Sequence, residues 1–92
     1  MAGARTVWVQ QREYRDVGAA LADARARAGL SQQQLAKLLR KPQSFISNYE
    51  RGQRRIDILE LLRVVDALGG DPIEIFREIL KRKRASLKLP KR

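Results

Sequence analysis

The chain has 92 residues, with 20 Lys and Arg against 10 Asp and Glu, for a net charge of +10. Such a balance argues for a polyanionic partner, nucleic acid or an anionic membrane, and the length allows one domain with one modest core. The absence of both cysteine and histidine excludes a disulfide framework, a thiolate or imidazole metal site and the commonest general base.

No metal, cofactor or small-molecule ligand is therefore expected. No apolar run approaches the roughly 18 residues of a membrane span, and no signal-peptide pattern opens the chain. A cytoplasmic protein is the expectation, nucleoid-associated if the source is bacterial.

Residues 1–15 lack a helical period and read as an irregular extension; Thr6-Val7-Trp8-Val9-Gln10 has the composition of a short strand. From Asp16 the period changes. Val17, Leu21, Ala24 and Ala28 form one apolar stripe of a first helix that Gly29 ends. Ser31 caps a second helix, with Gln34 completing a capping-box pattern and Leu30 placed to pack back as a staple. Its positions Leu35, Ala36, Leu38 and Leu39 are expected to face inward.

A third helix spans about 42–51. Pro42 suits its first turn, Ile46 and Tyr49 make its buried side, and Gly52 closes it. Asp57 and Glu60 mark a fourth start, followed by Ile58, Leu61, Leu62, Val65 and Leu68 and ended by Gly69-Gly70. Asp71-Pro72-Ile73-Glu74 opens a fifth helix carrying Ile75, Phe76, Ile79 and Leu80. The expectation is an all-α, compact five-helix domain over 16–80, with a basic tail over 81–92.

Charge is unevenly distributed. Segment 40–55 nets +4, segment 56–80 nets −4 and segment 81–92 nets +7. An acidic body with basic edges is steered in a preferred orientation toward a polyanion. The tail has three readings: a flexible arm on DNA, a helix extension with solvated charges, or a patch for an acidic partner. Leu87 and Leu89, alternating with Lys88, also suggest a short strand pairing with Val7-Trp8-Val9.

The most informative stretch is Ser31–Gly52, two short helices joined by a tight turn, the second with a polar outer face and a basic loop behind it. That combination suits a helix placed in the major groove of DNA. Gln43, Ser44, Ser47, Asn48 and Arg51 share the face opposite Ile46 and Tyr49. Gln and Asn are the side chains that bond adenine bidentately. Phe45 either touches a thymine methyl or packs beside Tyr49, four residues on. Arg51, Gln53, Arg54 and Arg55 are placed to meet phosphates, as is Lys41.

The motifs Gly29-Leu30-Ser31-Gln32, Leu35-Ala36, Gln43-Ser44-Phe45-Ile46-Ser47, Glu50-Arg51-Gly52 and Ala67-Leu68-Gly69 stand in an order and spacing that resembles the lambda-repressor-like helix-turn-helix domains, the Cro/C1 or XRE family. The resemblance runs from about Val17 to Phe76. It implies a helix-turn-helix at the second and third helices, with Ala36 as the small residue that lets them cross closely. Gln32 resembles the family's phosphate-binding glutamine, and Gln43, Ser44, Ser47 and Asn48 match positions that reach base edges. Arg25 and Glu50 resemble a pair tying the first helix to the end of the third. One departure stands in the turn: where the family often has glycine, because the backbone there favours a left-handed, positive-φ conformation, the chain has Arg40, either an extra phosphate contact or a solvated side chain.

The function expected is that of a sequence-specific double-stranded DNA-binding regulator, a repressor acting as a homodimer, with Ile75, Phe76 and Ile79 of the fifth helix either forming the interface or largely absorbed by core packing. The competing reading is an antitoxin-type component whose fifth helix or termini bind a cognate protein. Enzymatic and membrane-surface roles are rejected, because no catalytic set is visible and the tail lacks apolar partners at helical spacing.

Overall fold

A computed structural model of the chain describes the backbone of residues 11–87 and the side chains of residues 13–83. The order is α1 (Gln11–Arg27), α2 (Gln32–Leu39), α3 (Gln43–Glu50), α4 (Ile58–Ala67) and α5 (Pro72–Leu87), with no strand among the described residues. This is the expected all-α, compact five-helix architecture. None of these helices is long and apolar enough to cross a membrane.

The start signals act as their chemistry dictates. Ser31 Oγ accepts the Gln34 N–H at 3.0 Å while Gln34 Oε1 accepts the Ser31 N–H at 2.8 Å, a reciprocal capping box. Asp57 and Glu60 repeat it at α4, at 2.8 and 3.0 Å. Pro42 is the cap residue of α3 rather than its first helical residue.

Two ends of the chain differ from expectation. α1 begins at Gln11, so residues 11–15 are helical and not an irregular extension. α5 runs on to Leu87, so 81–87 continues the helix rather than opening a separate tail, as the helix-extension reading has it. The causes are shared. The Lys83 ammonium is buried, donating to the Glu13 carbonyl at 2.9 Å and to Asp16 Oδ2 at 3.3 Å. Arg82 bonds Asp23 at 2.5 Å and Glu78 at 3.1 Å. These charges clamp the second half of α5 along α1, so the tail's first turn is neither an arm nor wholly solvated. The strand expected at Thr6–Gln10, and the partner residue Leu89, lie outside the described residues; Leu87 is the last residue of α5.

The core is Ala20, Leu21, Ala24, Leu35, Ala36, Phe45, Ile46, Tyr49, Val64, Val65, Ile75 and Ile79, with Val17, Leu39, Ile56, Leu61, Ala67 and Leu68 packed against it. Cutting Leu21 or Leu35, both fully buried, to alanine costs about 2–5 kcal/mol. Several positions read as part of the inward apolar stripes are instead exposed: Ala28, Leu38, Ile58 and Leu62. Each lies on a short helix or near a helix end, where periodicity fits two neighbouring faces about equally.

Candidate nucleic-acid interface

The turn between α2 and α3 is closed by Arg40 in the left-handed region, φ 57° and ψ 44°. The Arg40 N–H donates to the Lys37 carbonyl at 3.2 Å and the Lys41 N–H to the Ala36 carbonyl at 3.0 Å. Those two bonds are a Schellman motif, normally built on glycine. The conformation expected at this position is present, without the residue that adopts it most cheaply.

α3 is set by its inner face. Phe45, Ile46 and Tyr49 are buried, and Phe45 meets Tyr49 edge to face with ring centroids 5.5 Å apart; packing, not an outward contact, is Phe45's role in the folded chain. α1 fixes the far end of α3. A Cβ on Gly18 would come within 2.2 Å of the Tyr49 carbonyl oxygen, and one on Gly52 (φ 75°) within 2.7 Å of the Arg15 nitrogen. The two backbones therefore touch where only glycine fits. Burial pushes the Tyr49 phenol well above its usual range, and its hydroxyl has no partner among the described residues.

On the outer side, Gln43 and Ser44 are exposed and Ser47 and Asn48 half-buried. A hydrogen-bonded chain leads to them from α1. Arg25 grips Glu50 through Nε at 2.7 Å and Nη2 at 3.1 Å, and its Nη1 donates to the Leu30 carbonyl at 2.8 Å. Glu50 Oε1 also accepts Gln32 Nε2 at 2.8 Å, and Gln32 Oε1 accepts Gln43 Nε2 at 3.1 Å. A carboxylate can only accept, so Glu50 turns the Gln32 amide nitrogen inward and its oxygen outward. That oxygen holds one N–H of Gln43. The second N–H and the Oε1 of Gln43 remain, which is the donor–acceptor pair an adenine edge requires.

The expected phosphate-facing residues divide. Arg40, Lys41, Arg51, Gln53 and Arg55 are exposed. Arg51 Nη2 donates to Asn48 Oδ1 at 3.0 Å and Gln53 Oε1 at 3.3 Å, so it has two neutral partners and keeps its charge. Gln32 is half-buried in the chain just described. Arg54 departs from the set: it forks onto Glu60 at 2.9 and 3.1 Å and lies 4.5 Å from the Phe45 ring centroid. Arg54, and the Asp57 N–H after it, hold the Glu60 carboxyl down at about 2.

The interface expected on α5 also needs correction. Ile75 and Ile79 are buried in the chain's own core, because α5 turns that face onto the other helices; only Phe76 of the three is exposed. Sequence reading missed Lys37, which lines an open cleft of about 670 Å³ with Ser31, Gln33, Lys41 and Gln43. It also missed Gly18, where a glycine inside a helical stripe was the available signal of close approach. Among the described residues no cluster of acidic side chains could hold a metal ion.

A five-helix domain with a cation-rimmed, amide-bearing helix at its edge defines a helix-turn-helix protein. The helix-turn-helix family HTH_3 matches residues 21–75, more than half of the chain, and the chain belongs to that Cro/C1-type family. It is a DNA-binding transcriptional regulator and not an enzyme.

Solved structures agree. The clp gene regulator ClgR from C. glutamicum is 28% identical, covering 85% of this chain and 96% of its own, with a TM-score of 0.70. The restriction-modification controller protein C.AhdI from Aeromonas hydrophila is 34% identical over 71% of this chain and 98% of its own, at 0.66. An XRE-family like protein from Pseudomonas syringae pv. tomato str. DC3000 is 33% identical over 76% and 85%, at 0.67. No relative was found among curated proteins.

Proposed function

We propose that the chain reads an inverted-repeat operator as a homodimer and represses transcription from it, with α3 in the major groove. The observation that carries this reading is the bonded chain Arg25–Glu50–Gln32–Gln43, which presents an oriented amide at the start of α3. Gln43, Ser44, Ser47 and Asn48 contact base edges. Gln32, through the backbone N–H groups at the start of α2, and Arg40, Lys41, Arg51, Gln53 and Arg55 meet phosphates, the cations supplying affinity and salt dependence.

The dimer reading is supported by exposed apolar side chains concentrated on two helices, Ile58, Leu59 and Leu62 on α4 and Ile73, Phe76 and Leu80 on α5. So many large apolar groups on a 92-residue chain mark an interaction surface. A second copy fits because an isologous pair sets two α3 helices about one DNA turn apart, roughly 34 Å. The same surface supports the second reading, a cognate protein partner.

Selection of bound duplexes from a random pool near physiological salt tests the assignment. Enrichment of an inverted repeat with centres about 10 base pairs apart supports the dimeric reader. Salt-sensitive binding with no enriched motif, by a chain that sediments as a monomer, would shift the assignment to the partner-dependent reading.

A further inference from the structure

We propose that Arg54 is a positioning residue of the DNA interface: a bracket that fixes the α3–α4 loop, rather than a ligand for phosphate. The inference rests on the reading that α3 and this loop face DNA. It starts from the fact that Arg54 is engaged from three directions by three parts of the chain. Its Nη1 donates to the Arg55 carbonyl at 2.6 Å, within the loop. Nη1 and Nη2 fork onto the two carboxylate oxygens of Glu60, on α4, at 3.1 and 2.9 Å. Its guanidinium carbon lies 4.5 Å from the ring centroid of Phe45, on α3.

Each contact has a rigid support. Phe45 is buried and wedged edge to face against Tyr49. Glu60 is the reciprocal member of the α4 capping box, so its carboxylate is held by the Asp57 N–H at 3.0 Å. A planar fork matches a carboxylate and lies against an aromatic ring at the same time, a combination that a lysine ammonium cannot reproduce. The loop is thereby pinned to the recognition helix on one side and to α4 on the other. Arg51, Gln53 and Arg55, all exposed, are carried on that loop or at its start.

Electrostatics point the same way. The Glu60 carboxylate cancels the Arg54 charge at its source, and a neutralised cation releases few counterions on binding DNA. Arg51 and Arg55 have no carboxylate partner among the described residues. The basic loop therefore contains two kinds of arginine, those that face outward with their charge intact and one that holds them there.

The test compares Arg54→Ala, Arg54→Lys and Glu60→Gln with the wild type on the duplex enriched by selection. Glu60→Gln retains a side chain able to complete the capping box, so it isolates the fork, and circular dichroism melts confirm that each variant folds. The bracket predicts that all three weaken binding by about threefold to thirtyfold, with lysine no better than alanine and the slope of log K against log salt unchanged. In the free proteins, the heteronuclear NOE of the Gln53 and Arg55 amides falls in Arg54→Lys and Glu60→Gln.

A phosphate ligand predicts the opposite pattern. Arg54→Lys then keeps most of the affinity, Arg54→Ala flattens the slope by about one, and Glu60→Gln binds more tightly because it frees the cation. That pattern, or loop amides unchanged in their NOE, overturns the proposal. A wild type that enriches no duplex in the selection instead overturns the reading beneath it, and the NOE of the loop amides then decides the bracket by itself.

Discussion

Gln43 donates its Nε2–H to Gln32 Oε1 across 3.1 Å, so the first side chain of α3 is oriented from the helix before it. Gln32 is in turn set by Glu50. Gln43→Ala is expected to relax discrimination at one base pair by about 1–3 kcal/mol. Gln32→Ala should loosen preference at that same base pair while also weakening binding to all sequences. Titrations against duplexes differing at single positions separate the two, and a Gln32→Ala protein with wild-type preference would falsify the relay.

Arg40 is a non-glycine residue at φ 57°. Arg40→Gly should stabilise the free protein by about 0.5–1 kcal/mol, since the left-handed conformation no longer carries a Cβ penalty. The same variant should bind every duplex more weakly, with a salt slope shallower by about one. Urea unfolding and a salt series check the two halves independently.

Gly18 sits where a Cβ would meet the backbone of Tyr49 and Glu50 at 2.2–2.7 Å. Ala is the better helix former by about 1 kcal/mol, yet Gly18→Ala should destabilise the protein by about 1–3 kcal/mol, because backbone cannot step aside as a side chain does. A melting temperature at or above that of the wild type contradicts the close approach.

Tyr49 buries a hydroxyl that no described residue bonds, a cost of roughly 1–3 kcal/mol when nothing offsets it. Tyr49→Phe preserves the edge-to-face contact with Phe45 and removes that hydroxyl. Equal or higher stability is expected in thermal unfolding. A loss of more than about 1 kcal/mol would show that the hydroxyl is satisfied after all.

Glu60 has a pKa of about 2 in the folded chain, against about 4.3 for an unperturbed glutamate. A lowered folded-state value means stability that is complete above the unfolded value and is lost as pH falls toward the folded one. The wild type should therefore exceed Glu60→Gln in stability near pH 5, by a margin that shrinks as the pH drops toward 2. A margin independent of pH would show that the fork does not couple to this titration.

Local chemistry carried much of the result. The capping boxes at Ser31 and Asp57, the proline before α3, the glycines after α1, α3 and α4 and the polar face of Gln43, Ser44, Ser47 and Asn48 are contained in runs of a few residues, so their reading needs no partner. The left-handed turn at Arg40 and the Arg25–Glu50 pair came from the family resemblance, and both are present in the fold.

What the linear order could not decide is which of two adjacent faces a short helix buries and which cation meets which acid. Ile75 and Ile79 went to the core and Phe76 to the surface because α5 is rotated by its packing on α1. Arg54 is paired with a carboxylate because Glu60, six positions on, folds back to meet it; Arg82 and Lys83 are held against α1 because Asp23 and Asp16 stand opposite them. Hydrogen bonds to caps and turns depend on neighbours in sequence, whereas burial and ion pairing depend on neighbours in space, and only the folded chain supplies those.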